Sequence, residues 1–170
     1  SKKIPKIKNN FKQIISKETA YQMISILEGA VKRGTAKGLK DLNLDIGGKT
    51  GTTNKNTDTW FVGFSSNYVI GVYVGYDEPS SLGKYETGAR TAMPIFKNFV
   101  KKTVKKDNAR PFKVPKGIKM LVVNSKTGER ASYNDESIII EAFKEKDLVN
   151  NIIQYGNMEY ISKENIYKFY

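Results

Sequence analysis

The sequence predicts an α+β fold in which three antiparallel strands are flanked by two helices. Its 170 residues, 39% of them hydrophobic, are enough for one domain with a buried core. Apolar side chains recur at helical spacing in 17–33 and 92–106. The segments 44–53, 59–65 and 68–76 lie between these helices, and the last two are rich in the aromatic and β-branched residues that strands favour. Three consecutive antiparallel strands are the most economical arrangement.

The first helix, 17–33, has both a start and a stop signal. The Ser16 hydroxyl can accept a hydrogen bond from a free amide of the first turn. Gly34 can take the left-handed conformation that closes a helix. The apolar positions expected to face the core recur at helical spacing: Ala20, Met23, Ile24, Leu27 and Val31.

The strands follow a glycine-punctuated loop, 34–43. The first strand, 44–53, carries several glycine and hydroxyl residues. The second and third strands are separated only by Ser66 and Asn67, which form a natural hairpin turn. We therefore expect these two strands to pair directly.

The residue pattern of the second strand also predicts which of its side chains face the core. Strand alternation places Trp60, Val62 and Phe64 on one face. We expect that face to pack in the core rather than to form a platform for a sugar or a base. Asp58 comes just before the strand, where an Asp is more often a turn acceptor than a general base.

After the loop 77–90, Pro94 suits the first turn of the second helix. This helix, 92–106, should end before residues 108–111. Its apolar stripe consists of Phe96, Phe99, Val100 and Val104. Its other face is basic and carries Lys97, Lys101, Lys102, Lys105 and Lys106.

The rest of the sequence is a tail in which we predict little structure. A strand at 118–123, a turn at 124–128 and a short helix around 138–143 are the elements that its pattern indicates. The chain is accordingly divided into a basic lead-in, a main unit and this tail, at residues 1–16, 17–110 and 111–170.

Composition excludes several classes of protein. Without His or Cys, the sequence can form neither a Ser-His-Asp triad, nor a thiolate nucleophile, nor a metal site with those ligands, and we expect no metal and no cofactor. It contains no apolar run of membrane-spanning length and no apolar signal-peptide core at its N-terminus.

The formal net charge of +12 is unevenly placed. Residues 1–17 hold six Lys and no acidic residue, and 97–119 hold nine Lys or Arg and one Asp. The aromatic and glycine-rich stretch between them is neutral. A nucleic-acid groove usually combines positive charge with stacking aromatics, so the pattern argues against nucleic acid as a partner.

The candidate chemistry lies at residues 47–53, GGKTGTT. A phosphate-binding P-loop is one interpretation of Gly48-Lys49-Thr50, but Asn43 stands where that loop needs another glycine. The other interpretation is the Lys-Thr-Gly box of penicillin-recognising serine enzymes. A second copy, Lys126-Thr127-Gly128, is flanked by turn residues and is predicted to be an ordinary turn.

Four blocks in order carry a family resemblance: GGKTGTT at 47–53, DTWFVGF at 58–64, GVYVGYD at 71–77 and ETGARTAMPIF at 86–96. With them, the sequence resembles the C-terminal part of the transpeptidase domain of class A penicillin-binding proteins. The resemblance implies a partial fold of the penicillin-binding protein and serine β-lactamase type. Ala89 stands where the family usually has a second glycine.

The resemblance also implies roles for residues of the Lys-Thr-Gly box at 47–53. Lys49 would stabilise the proton network around a nucleophile and attract the substrate carboxylate. The Thr50 and Thr52 hydroxyls would bind that carboxylate, with Gly51 and Thr53 completing the substrate-binding strand. The backbone N–H of Thr52 would be an oxyanion donor. Lys49 and Thr52 are therefore the catalytic candidates.

The family's other two boxes, Ser-x-x-Lys and Ser-x-Asn, are not found in their family positions. Ser81-Leu-Gly-Lys84 fits the first by letter, and Ser65-Ser-Asn67 and Ser132-Tyr-Asn134 fit the second, but all of them lie downstream of Lys49 in predicted turns or loops. We therefore expect the nucleophilic serine to be missing from the chain and the chain alone to be inactive.

Two functions remain open at this point. The first is a C-terminal part of a serine D,D-transpeptidase that cross-links peptidoglycan at the extracytoplasmic face of the bacterial cytoplasmic membrane. Its partners would be a stem peptide ending in D-Ala-D-Ala, β-lactams in the intact parent, and the upstream part of the same domain. An open apolar surface would also promote self-association. The alternative is a non-catalytic basic module that binds nucleic acid or an anionic cell-envelope polymer.

Overall fold

The computed structural model describes residues 12–104 and 110–149. Two helices and a three-stranded sheet form the larger part, and a two-stranded sheet follows them. In chain order the elements are α1 (Lys17–Lys32), β1 (Gly47–Thr52), β2 (Asp58–Phe64), β3 (Val69–Gly75), α2 (Ala92–Thr103), β4 (Ile118–Asn124), β5 (Ile138–Lys144) and α3 (Glu145–Val149). The first eleven residues of the predicted lead-in, the predicted helix end at Lys105 and Lys106, and residues 150–170 lie outside the described residues.

Helix α1 confirms the predicted start signal, because the Ser16 hydroxyl accepts a hydrogen bond from the Thr19 N–H at 3.2 Å. Its buried side differs from the predicted stripe. Met23 is 49% exposed, whereas Tyr21 and Ser25 are buried. Helix α1 packs both against β1 and against β5 in the second sheet, and the Ser25 hydroxyl donates to the Glu141 carboxylate of β5 at 3.4 Å.

The three-stranded sheet has the predicted order β1-β2-β3, and both pairings are antiparallel. The hairpin turn is confirmed, since the Ser65 N–H donates to the Tyr68 carbonyl at 2.9 Å. β1 begins at Gly47, three residues later than predicted, and the residue before it, Ile46, is buried in the core. The register places Thr50 opposite Phe61 and Gly51 opposite Trp60.

The prediction for the core face of β2 was wrong for Trp60 and Val62, whereas Phe64 is partly buried, with its ring centroid 5.6 Å from that of Phe112. Phe61 is fully buried, while Trp60 and Val62 are 44% and 45% exposed. Helix α2 covers the Phe61 face, and the Phe61 and Phe96 rings meet edge to face with centroids 4.7 Å apart. Alternation correctly separates the two faces, but the side on which α2 lies determines which of them is buried.

Helix α2 ends earlier than predicted. Val104 has extended backbone angles, φ −92° and ψ 107°, so the helix stops at Thr103. Phe96 and Val100 are buried as expected, whereas Phe99 is 50% exposed. Ala92 and Met93 complete the buried side in its place.

The predicted helix at 138–143 was also wrong, because these residues form strand β5. Its three consecutive Ile residues favour a strand, and it pairs antiparallel with β4 over the full length of both strands. Tyr21 of α1 clusters with Phe112, Ile118 and Ala142, which docks the second sheet on the helix. The tail therefore forms a second, smaller core together with α1.

Candidate active-site strand

Strand β1 lies at one edge of its sheet, and no other strand of the described residues pairs with its outer side. Two buried glycines open the strand. An added Cβ at Gly48 would lie 2.8 Å from the Phe61 ring and 2.9 Å from the Val62 carbonyl oxygen. At Gly47 it would meet the Phe64 ring at 2.5 Å. These glycines let β2 side chains pack beneath the strand and bring Lys49 to an exposed position.

The Lys49 ammonium group folds back onto its neighbour. Its Nζ donates to the Thr50 carbonyl at 3.0 Å and to Thr50 Oγ1 at 3.2 Å. Thr50 Oγ1 also lies 3.1 Å from Thr35 Oγ1, in the turn that follows α1. An ammonium group has three N–H donors, so one stays available after these contacts within the described residues. The arrangement combines a cation and a hydroxyl on one exposed edge.

The two following threonines are used differently. Thr52 Oγ1 accepts a hydrogen bond from the Gly88 N–H at 3.1 Å, and Thr52 is otherwise exposed. The Thr53 hydroxyl lies in the turn after β1, where it accepts from the Asp58 N–H at 2.8 Å and has two acceptors for its own proton, the Asp58 carbonyl at 3.1 Å and the Asp58 carboxylate at 3.3 Å. The structure thus keeps Lys49 to Thr52 together on the strand and ties the Thr53 side chain to the turn.

Asp58 is the first residue of β2 rather than the residue before the strand, and its carboxylate accepts hydrogen bonds from side chains of both the turn and β3. Its carboxylate accepts from the Tyr73 hydroxyl at 2.5 Å and from the Thr57 hydroxyl at 3.2 Å. The Tyr73 hydrogen bond is the main cause that holds the pKa of Asp58 below its ordinary value, with smaller contributions from Thr57 and Thr53. The same contact raises the pKa of Tyr73. A carboxylate stabilised in this way is a weaker base, which fits a structural role.

The loop between β3 and α2 forms a wall beside the strand, and sequence reasoning treated most of it as a plain connection. Asn56 binds one part of it, because its Nδ2 donates to the Gly83 carbonyl at 2.9 Å and to the Lys84 carbonyl at 3.0 Å. Gly88 is buried against Gly51 at the other part. The sequence signal for this wall is ETGAR at 86–90, which belongs to one of the four blocks that carry the resemblance.

The serines that match the Ser-x-x-Lys and Ser-x-Asn boxes by letter lie in local turns. Ser81 Oγ accepts the Gly83 N–H of its own loop at 3.2 Å, and Ser65 Oγ accepts the Asn67 N–H at 3.3 Å. The Ser132 N–H donates to Asp135 at 2.7 Å. None of these three serines lies at a helix N-terminus.

The basic face of α2 is partly neutralised. Asp41 forms ion pairs with Lys97 at 2.7 Å and with Lys101 at 3.4 Å. The hydrogen bond from Lys97 is the main cause that lowers the pKa of Asp41. Lys97 also donates to the Gly38 carbonyl at 2.6 Å. These lysines tether α2 to the helical turn 37–42, and the alternative of a nucleic-acid-binding face gains no support.

Comparison with known proteins agrees with the fold. A family model of the penicillin-binding protein transpeptidase domain matches residues 4–101. Penicillin-binding protein 1A of Rickettsia conorii is 42% identical over 153 residues, covering 90% of this chain and 18% of that protein. The corresponding protein of Pseudomonas aeruginosa is 38% identical over 136 residues, covering 79% of this chain and 16% of that protein.

A crystal structure of penicillin-binding protein 1A from Haemophilus influenzae has the same arrangement, with a TM-score of 0.68 and 32% sequence identity over 77% of this chain and 21% of that chain. The fold and the strand thus define a partial transpeptidase fold. This chain belongs to the penicillin-binding protein transpeptidase family. It spans about a fifth of the length of the curated relatives that it matches. No helix within 12–104 and 110–149 is long and apolar enough to cross a bilayer.

Proposed function

We propose that this chain supplies the substrate-binding strand of a serine D,D-transpeptidase that cross-links peptidoglycan stem peptides. The observation that carries the proposal is the exposed edge strand on which Lys49, Thr50 and Thr52 present a cation and two hydroxyls beside a side-chain-free Gly51. A carboxylate at the end of a peptide accepts hydrogen bonds from all three groups. Penicillin would occupy the same place through its own carboxylate.

The reaction assigned to the parent protein is acyl transfer. A serine Oγ bonds to the carbonyl carbon of the penultimate D-Ala, the peptide C–N bond breaks, and the terminal D-Ala leaves with a proton. The amine of a second stem peptide then displaces the serine oxygen, which regains a proton. Lys49 would stabilise negative charge near the serine, and the Thr52 N–H would donate to the developing oxyanion. The Thr53 side chain would act only by shaping the turn.

The nucleophile is assigned to a Ser-x-x-Lys segment of the parent outside these 170 residues, because Ser81 is used within its own loop. The exposed face of the sheet is the proposed surface for that part of the domain. Its apolar members include Trp60, Val62 and Tyr73, with the Trp60 and Tyr73 rings 4.8 Å apart. Self-association of the chain through this face stays a prediction. A position outside the cytoplasmic membrane follows from the proposed substrate.

Labelling with a fluorescent penicillin tests the proposal in the full-length protein that contains this chain. Lys49→Ala should lower the labelling rate by about 10- to 100-fold, because a hydrogen bond to a charged group contributes about 1.5–3 kcal/mol. Lys126→Ala is the matched control, since it removes the same residue type from the second triplet, and labelling should stay at the wild-type level.

Intact-mass spectrometry of the 170-residue chain with excess penicillin gives the complementary result. We expect no covalent adduct, because a strand without an activated serine cannot be acylated. A stoichiometric adduct that maps to Ser81 would overturn the assignment of the nucleophile. Equal labelling of Lys49→Ala and wild-type full-length protein would overturn the assignment of the strand.

A further inference from the structure

Gly88 connects the candidate strand to helix α2 through both of its backbone polar groups. Its N–H donates to Thr52 Oγ1 at 3.1 Å. Its carbonyl accepts from the Met93 N–H, in the first turn of α2, at 2.8 Å. One peptide segment therefore links the position of a core helix to the orientation of an exposed hydroxyl on β1.

The reason for glycine at this position is space. An added Cβ would lie 2.4 Å from the Trp60 carbonyl oxygen and 2.6 Å from the Gly51 carbonyl oxygen, with the Gly51 nitrogen at 3.1 Å. All three atoms belong to the backbones of paired strands, so they cannot move without disturbing the sheet. Any side chain at Gly88 would push the loop away from Thr52.

The loop is held in place by a chain of hydroxyl groups. Thr59 is fully buried, and its Oγ1 lies 2.5 Å from Thr91 Oγ1. Thr91 Oγ1 donates its proton to the Thr87 carbonyl at 2.9 Å. A hydroxyl has one proton, so Thr59 must be the donor to Thr91. This partly buried chain of hydrogen bonds holds Thr87, the residue before Gly88, against the sheet.

A consequence follows for the direction of the Thr52 proton. Because Thr52 Oγ1 accepts from the Gly88 N–H, one of its lone pairs is occupied on the loop side, and its own O–H is left to donate elsewhere. A carboxylate can only accept hydrogen bonds. We propose that Gly88 is a positioning residue that directs the Thr52 hydroxyl as a donor toward the carboxylate of the ligand. This inference rests on the proposed function of the strand.

Amide hydrogen exchange in the 170-residue chain tests the contact itself. Thr52→Val should speed exchange of the Gly88 N–H by roughly 5-fold, since the loss of one hydrogen bond of about 1 kcal/mol exposes that amide. Thr52→Ser keeps the oxygen and should keep the protection. Gly71→Ala is a control for a distant strand glycine, because nothing lies within 4 Å of an added Cβ there. Unchanged exchange in Thr52→Val would overturn the proposal.

Acylation of the full-length protein tests the role in recognition. Gly88→Ala and Thr52→Val should each lower the acylation rate with benzylpenicillin by about 10-fold more than the rate with its methyl ester, because the ester lacks the charged acceptor. A merely structural role would lower both rates equally. The two substitutions should be non-additive, since they act through one hydrogen bond.

Lys49→Ala distinguishes a failure of this inference from a failure of the proposed function. Suppose that Lys49→Ala loses labelling, while Gly88→Ala and Thr52→Val lower the acylation rates with the acid and with the ester equally. This inference then fails and the proposed function stands. If Lys49→Ala labels normally, the proposed function itself fails. Thr52→Ser should retain at least about half of the discrimination between acid and ester, because it keeps the hydroxyl that Gly88 orients.

Discussion

The same three letters, Lys-Thr-Gly, occur twice in this chain and adopt two different structures. Lys49 to Gly51 lie in an edge strand that pairs with β2. Lys126 to Gly128 lie in the turn after β4, where Asn124 Oδ1 accepts the Lys126 N–H at 2.9 Å. The strand of the first copy lies beside the loop that carries Gly88, whose N–H donates to Thr52 Oγ1. A short motif therefore gains chemical meaning from the backbone around it.

The glycines of the two copies show the difference most directly. At Gly51 an added Cβ would lie 3.2 Å from the Trp60 Cβ, so the glycine serves close packing in the sheet. At Gly128 nothing lies within 4 Å, but φ is +75°, so the glycine serves backbone conformation. One residue type thus meets two separate physical requirements.

The largest expected effect concerns the support beneath the first copy. Phe61→Ala should lower the free energy of unfolding by about 3–5 kcal/mol, because it leaves a cavity beside Phe96. Val62→Ala, on the exposed face, should cost less than about 1 kcal/mol. Urea denaturation of both variants measures the difference. A larger loss for Val62→Ala would show that the core faces the other way.

A smaller effect distinguishes the two physical reasons for a glycine, which are close packing and a left-handed backbone. Gly48→Ala should cost about 1–3 kcal/mol, because the new Cβ meets the Phe61 ring and two backbone atoms of β2. Gly128→Ala should cost about 1 kcal/mol through its left-handed backbone alone. Gly128→Asn should restore part of that loss, because Asn tolerates the left-handed region. Thermal unfolding compares them, and equal losses for Ala and Asn at 128 would contradict the conformational explanation.

The smallest expected effect is a dependence of the free energy of unfolding on pH. It comes from Asp135, whose carboxylate accepts a hydrogen bond from Asn124, at the start of the turn that holds the second copy. The Ser132 N–H, and then Asn124, lower the pKa of Asp135. The folded state then binds fewer protons than the unfolded state, so this stabilisation is full above the ordinary Asp pKa of about 3.9 and is lost as pH falls through the lowered value.

Asp135→Asn should therefore lower the free energy of unfolding at neutral pH, where the stabilisation by the carboxylate is full, and leave it close to the wild-type value below the lowered pKa, so that the acid limb becomes flatter. Chemical denaturation at a series of pH values from neutral to acid checks this result. Asp58→Asn is the matched variant at the first copy, where Tyr73 lowers the pKa of the carboxyl. An acid limb identical to that of the wild type in both variants would contradict the assignment of these carboxylates.

Local patterns predicted much of the fold near the first copy. The cap at Ser16, the hairpin at 66–67 and the order of three antiparallel strands depend on neighbouring residues, and all were confirmed. The helix predicted at 138–143 failed because a short apolar run fits either period. Pairing with β4, which lies at a distance along the chain, determined that it is a strand.

The amino-acid sequence was enough to locate the Lys49 to Thr52 strand and its family, because four ordered blocks carry more information than one triplet. It was not enough to show which face of β2 is buried, because that depends on where α2 packs. Nor could it show that Gly88 contacts Thr52, 36 residues away along the chain. Such contacts arise only when the loop folds across the paired strands, since neither partner has a local signal for the other.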